Sequence, residues 1–217
     1  MMRQTGVYLV LIFLGVEMKR VVDVVLAGLL ILLALPWCLL IALWIVLDSR
    51  GPVLTRPHRV GRNGRMVKVF EFRTANADPD AMETVAGCHG EEVTRAGAIL
   101  RKLGVARWPL LINVLRGDLS VVGPRAELPR YVGCYPTDMR KIILSIKPGL
   151  VDLAAIEFRD EKNMLADLEA EELETTYVDQ VLPIKLDYAR RYVENRGFWL
   201  DLRILLLWLV TPLRLAR

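Results

Sequence analysis

The sequence predicts a mainly α-helical domain with a small β-hairpin element, an α+β arrangement, seated on a membrane by an N-terminal helix. Three observations carry this: a long apolar run over 21–47, a shorter one over 198–210, and between them a stretch of ordinary soluble composition with repeated helical spacing. Apolar residues make up 53% of the 217, above the usual share for a soluble domain, and the excess sits in those two runs. Two such runs are too few for a polytopic transporter.

The first apolar stretch, Val7–Val16, is too short to span a bilayer and lacks a small-residue cleavage site. Either Met1 or Met18 can serve as the start; residues 1–17 are expected to be a non-native upstream extension. Val21–Leu47 has one charge, Asp23, and as a straight helix would reach about 40 Å, more than the roughly 30 Å hydrocarbon core. Pro36 sits near its middle, where it removes an N–H donor. Lys19 and Arg20 precede it; Arg50 and Arg56 follow it. Basic flanks belong in the cytoplasm, so both ends are expected on one side. A re-entrant helix over 18–50, broken at Pro36, meets all three demands; a kinked spanning helix, which meets the length and the proline, stands beside it as the alternative.

The remainder, 51–197, reads as a cytosolic domain. Val53–Arg59 and Met66–Phe72 are short strand candidates joined through Asn63-Gly64, a hairpin turn signal. Thr74–Gly90 reads as a loop, Glu91–Lys102 as a helix, and Pro109–Leu115 as another that Gly117 ends. Tyr131–Ser145 reads as helical with Pro136 near a start, and Ala154–Phe158 as a short strand. The acidic run within Leu165–Tyr177 marks a solvated helix face, and Leu182–Asn195 is amphipathic. Residues 198–217, with Trp199 and Trp208, are expected to form an interfacial amphipathic helix.

Charge and side-chain chemistry narrow the function classes. Net charge is only +4, but basic residues gather between Arg50 and Lys68, a pattern suited to anionic headgroups or a phosphorylated substrate. Neither an aromatic-rich basic platform nor zinc-finger spacing is present, which argues against nucleic acid. Cys38, Cys88 and Cys134 are too few and too scattered for a disulfide framework. Cys88-His89 has no second ligand pair at zinc spacing, so no metal site is expected there.

Several motifs then occur in a familiar order: Lys19-Arg20-Val21-Val22-Asp23, Leu47-Asp48-Ser49-Arg50-Gly51-Pro52-Val53, Phe72-Arg73-Thr74, Asn113 through Arg125, Lys147-Pro148-Gly149 and Ile156 through Glu161. Together they resemble the bacterial sugar transferases, the monotopic polyprenyl-phosphate phosphoglycosyl transferases, over Met18 to about Leu209. The resemblance implies a re-entrant helix bent at a proline, here Pro36, at the cytoplasmic face of a bacterial inner membrane. It implies transfer of a sugar-1-phosphate from a UDP-sugar to polyprenyl phosphate, in lipid-linked glycan and exopolysaccharide biosynthesis. The family's adjacent Asp-Glu pair supplies a nucleophile and helps hold Mg²⁺.

Here the family's D-E-L-P-Q-L-x-N-V-L is matched by Ala106-Arg107-Trp108-Pro109-Leu110-Leu111-Ile112-Asn113-Val114-Leu115. Pro109 and Asn113 set the register, so Ala106 stands at the nucleophile position and Arg107 at the metal-binding one. Exchanging two carboxylates for one guanidinium changes the local charge by three units, which repels Mg²⁺ and attracts a diphosphate. Glu71 also replaces the usual Lys, Ala75 a Met and Ala126 a Pro. The catalytic residues are therefore unknown, and Mg²⁺ is not expected. Arg73, Arg125 and Arg159 are expected to bind phosphate, with Asn113 and Asp118 as structural neighbours. The expected role is a catalytically degenerate one: binding UDP-sugar or polyprenyl phosphate, or pairing with an active transferase or with itself. The alternatives are an active enzyme with a displaced nucleophile, for which Asp118, Glu91 and Glu92 are nearest in sequence, and a structural scaffold.

Overall fold

A computed structural model describes residues 2–76, 83–84, 87–88, 92–158, 164–165 and 168–215. Helix α1 (Met2–Asp48) is one apolar rod, and its part Met18–Asp48 is long and apolar enough to cross a membrane. The expected break at Pro36 is absent: the helix continues through it. Proline removes a single N–H donor, and the long helical stretches on either side keep their own bonds. Both ends of the described part are nonetheless tied to the same globular body. At one end Lys19 bonds Asp201 at 2.5 Å, and Asp23 accepts from Ser120 Oγ at 2.7 Å and Val121 N at 3.1 Å. At the other, Asp48 accepts from Ala96 N at 3.0 Å. Between them Asp23, Ala27, Ile31, Cys38, Ile41 and Ile45 recur at helical spacings of three, four or seven residues and face the domain. The rest of the surface is bare leucine and tryptophan, with Leu32, Leu39 and Trp37 all more than half exposed.

After α1 the chain makes β1 (Leu54–Thr55), β2 (His58–Val60), β3 (Met66–Lys68) and β4 (Glu71–Phe72). β2 and β3 form the expected antiparallel hairpin, with His58 opposite Lys68. Its turn uses Asn63 at φ 57°, a left-handed value asparagine tolerates. β1 pairs with β4 alongside. The stretch read as a loop contains short strands β5 (Ala75–Asn76), β6 (Glu83–Thr84) and β7 (Gly87–Cys88), and β5 pairs with β8 (Glu92–Val93).

Helix α2 (Arg95–Leu103) begins later than its apolar spacing suggests because Thr94 caps it, accepting from Gly97 N at 3.0 Å. A 3₁₀ turn, Val105–Arg107, leads into α3 (Leu110–Arg116), which ends at Gly117 in the left-handed conformation. β9 (Ser120–Val122) pairs in parallel with β10 (Gly149–Val151), a pairing absent from the sequence reading. Between them lie α4 (Pro129–Gly133) and α5 (Thr137–Ile143), with Pro136 just before α5.

The expected strand at Ala154–Phe158 is instead helix α6 (Leu153–Glu157). Asp152 decides this by accepting from Ala155 N, which caps the first turn. α7 (Ala170–Thr176), a π turn at Tyr177–Val181, α8 (Leu182–Asn195) and α9 (Phe198–Leu215) complete the chain. The mainly α architecture with a small β element thus stands. One core lies between α1, α3, β9, β10 and α9 around Val114, Val122 and Ile204; a second gathers Tyr131, Tyr177, Val181 and Leu186.

Candidate functional site

The site is built where α2 gives way to α3. Gly104, at φ 72°, ends α2, and the 3₁₀ turn carries Ala106 inward beside Leu100 and Trp108 and Arg107 outward. Pro109 then opens α3. The turn is fixed from below by Asn113, which is fully buried. Its side chain accepts from Phe70 N at 2.9 Å and donates to Lys68 O at 2.9 Å and Asp118 Oδ2 at 3.2 Å. Asn113 thereby pins α3 to the strand region preceding Glu71. Asp118 sits past the far end of α3.

Arg107 Nε stands 3.7 Å from Glu71 Oε1. The Arg107 side chain is half exposed, and its pKa is lowered to about 10, first by the neighbouring Arg125 guanidinium, then by burial and by Arg59. Glu71 and Glu127 act in the opposite direction. Arg107 therefore keeps its charge at neutral pH among two other guanidinium groups.

Arg125 is held by a parallel bridge to Gly149, whose N–H donates to Pro124 O at 2.8 Å. Any side chain on Gly149 would drive its Cβ to 2.1 Å from Gly123 N, so the close crossing of these two loops requires glycine. Beside Arg125 opens a small concavity of about 30 Å³ lined by Glu127, Tyr135, Asp152, Lys185 and Tyr192 among others. Lys185 reaches Tyr177 Oη at 3.3 Å and Glu127 at 3.7 Å, and Tyr177 Oη donates to Glu127 at 3.1 Å. Burial raises the Asp152 carboxyl pKa, while its bond from Ala155 N, Arg125 and Lys185 oppose the rise.

Of the two predicted arginines among the described residues, Arg125 joins Arg107 and Arg73 does not. Arg73 is buried and turned to α1: its guanidinium donates to Arg50 O, to Ser49 O at 2.7 Å and to Ser49 Oγ at 2.9 Å. Those are carbonyls just past the end of α1, and Arg73 closes that end. Arg159 and Glu91 lie outside the described residues. Glu92 is exposed on β8 and is not among the charges that act on Arg107. The sequence reading missed Arg59, Glu71 and Glu127 as members of this site. Only Glu71 carried a signal, its exchange for the family's Lys.

The residues at the dyad positions do not fit a divalent cation. Mg²⁺ takes oxygen ligands, whereas this cluster presents guanidinium groups and a carboxylate already beside Arg107. Among the described residues no three His, Cys, Asp or Glu side chains converge.

A helix long and apolar enough to cross a membrane is tied to a small helical body at both ends of Met18–Asp48, and a cationic turn lies at the start of α3. Residues 15–214 match the family model described as bacterial sugar transferase. The chain is 34% identical over 200 residues to a UDP-glucose:undecaprenyl-phosphate glucose-1-phosphate transferase of Caulobacter vibrioides, covering 87% of this chain and 67% of that protein. It is 31% identical over 194 residues to a protein of the same name from Escherichia coli, covering 88% of this chain and 39% of that one. It is 29% identical over 189 residues to a UDP-N-acetylgalactosamine-undecaprenyl-phosphate N-acetylgalactosaminephosphotransferase of Aeromonas hydrophila, covering 86% and 41%. It thus spans about two thirds of the first relative and about two fifths of the other two. The chain belongs to the bacterial sugar transferase family.

Proposed function

We propose that this chain is a catalytically degenerate family member that holds the phosphates of a UDP-sugar or a polyprenyl phosphate at Arg107, Arg125 and Arg59 without metal and without transfer. One observation carries the reading: the position of the family's nucleophile is a methyl group, and the next is a guanidinium ion-paired to Glu71. An alanine side chain offers no atom to attack phosphorus, and the neighbouring cation supplies the charge complement that a metal supplies elsewhere. A pocket that still binds the family's ligands suits a partner role beside an active transferase or a second copy of this chain.

The same reading places the domain on the cytoplasmic face of an inner membrane with α1 re-entrant. Lys19 through Asp23 and Ile45 through Arg50 are both bonded to one globular body. α1 reaches both anchors as one uninterrupted helix, so the return to one face rests on this shared anchoring and not on a break at Pro36. Basic flanks on both sides of the apolar run support the same orientation.

The test is UMP release from UDP-glucose or UDP-N-acetylgalactosamine with undecaprenyl phosphate and Mg²⁺. The unmodified protein is expected to match the protein-free blank; turnover above it would refute degeneracy. One observation favours a second reading: Glu71 is a carboxylate beside the dyad position. If it serves as a displaced nucleophile, turnover occurs and Glu71→Gln abolishes it.

A further inference from the structure

We propose a second anion site, between Arg20 and Lys147 at the C-terminal end of α3, that takes the phosphate headgroup of a membrane amphiphile. Two cations converge there on Gly117. Arg20 Nη2 lies 3.2 Å, and Lys147 Nζ 3.4 Å, from the point a Cβ on Gly117 would occupy. Gly117 has φ +88°, so the notch is kept open by the one residue that adopts this backbone freely.

Arg20 is oriented rather than consumed. Its Nη1 donates to Val114 O at 2.6 Å and its Nη2 to Leu115 O at 2.9 Å. Three of its five N–H donors remain for a ligand. Among the described residues neither Arg20 nor Lys147 forms an ion pair, and Lys147 makes no hydrogen bond. The carboxylates that act on Lys147 are committed elsewhere: Asp23 to Ser120 and Val121, Asp118 to Asn113. Burial first, then Arg20 and Arg62, lower the Lys147 pKa, and Asp23 and Asp118 oppose them.

The surroundings select an amphiphile. Arg20 is the last charge before the apolar run; Val24, one turn on from it, and Leu115, whose carbonyl it bonds, are 37% and 40% exposed. An acyl or prenyl tail would cover them while the phosphate meets the cations. The notch and Arg107 lie at opposite ends of α3, about 15 Å apart along its axis, so one phosphate cannot serve both and this site stands apart from the proposed function.

The full chain in neutral detergent is titrated with dodecyl phosphate, dodecanol and inorganic phosphate. Dodecyl phosphate is expected to bind at least tenfold more tightly than inorganic phosphate, and dodecanol not to saturate. The titration is made on Arg107→Gln protein, so that the Arg107 cluster is disabled; there Lys147→Gln is expected to weaken dodecyl phosphate at least a further fivefold with unchanged circular dichroism. Equal affinity for inorganic phosphate would make the ligand a free anion and overturn the lipid assignment. Unchanged binding by Lys147→Gln, or saturable binding of dodecanol, would overturn the site.

Discussion

Glu71 and Arg107 face each other at 3.7 Å across the turn that opens α3. At both positions the family pattern has the opposite charge, a Lys before F-R-T and a Glu in the dyad. The polarity of the pair is inverted, and an attractive arrangement is kept. Restoring only the dyad therefore sets a new glutamate against Glu71. Ala106→Asp/Arg107→Glu is expected to lose stability by about 0.5 kcal/mol, small because the pair is half exposed. Adding Glu71→Lys is expected to recover that loss. Thermal unfolding of the double and triple variants measures it; equal melting temperatures would show that the pair is not coupled.

The buried amide of Asn113 makes a sharper stability prediction. Asn113→Ala strands the Phe70 N–H and the Lys68 carbonyl in the core. Two such groups cost about 2–5 kcal/mol, enough to loosen α3 and the turn it supports. Denaturant unfolding in detergent reads this directly, and a change below 1 kcal/mol would contradict it.

Arg73 separates capping from ligand binding. Arg73→Met leaves the carbonyls of Ser49 and Arg50 without their donor. Faster amide exchange is expected over the last turn of α1, with UDP affinity within twofold of the unmodified protein. A tenfold loss of affinity with unchanged exchange would return Arg73 to the ligand site.

Asp152 predicts a pH effect. Its folded pKa is raised by burial, so between the unfolded value near 3.9 and the higher folded value the native state binds more protons than the unfolded one. Stability contributed by this group is therefore present at low pH and lost as pH rises through that window. Asp152→Asn keeps an N-cap acceptor for Ala155 and removes the titration. The variant's melting temperature is expected to gain on the unmodified protein as pH rises from about 4 to 7. A constant difference across that range would rule the effect out.

What the chain's letters disclosed, and what they hid, follows the range of the forces involved. Local rules found the Asn63-Gly64 hairpin, the glycine stop at Gly117, and α8 at its observed bounds, Leu182–Asn195. They misread Ala154–Phe158 as a strand, because so short a run carries no period and the Asp152 cap settles the matter. The β9–β10 pairing joins residues separated by two helices, and no local signal marks it. The site divides the same way. The exchange at Ala106-Arg107 was legible from register, whereas the Glu71 contact is made across 36 residues and Arg73's role depends on where α1 ends.

The most direct measurement is a calorimetric titration of UDP into the full chain in excess EDTA. Guanidinium binding without metal predicts a saturable isotherm that Arg107→Gln weakens about tenfold and Mg²⁺ does not strengthen. An isotherm that appears only when Mg²⁺ is added, or one that Arg107→Gln leaves unchanged, would contradict it.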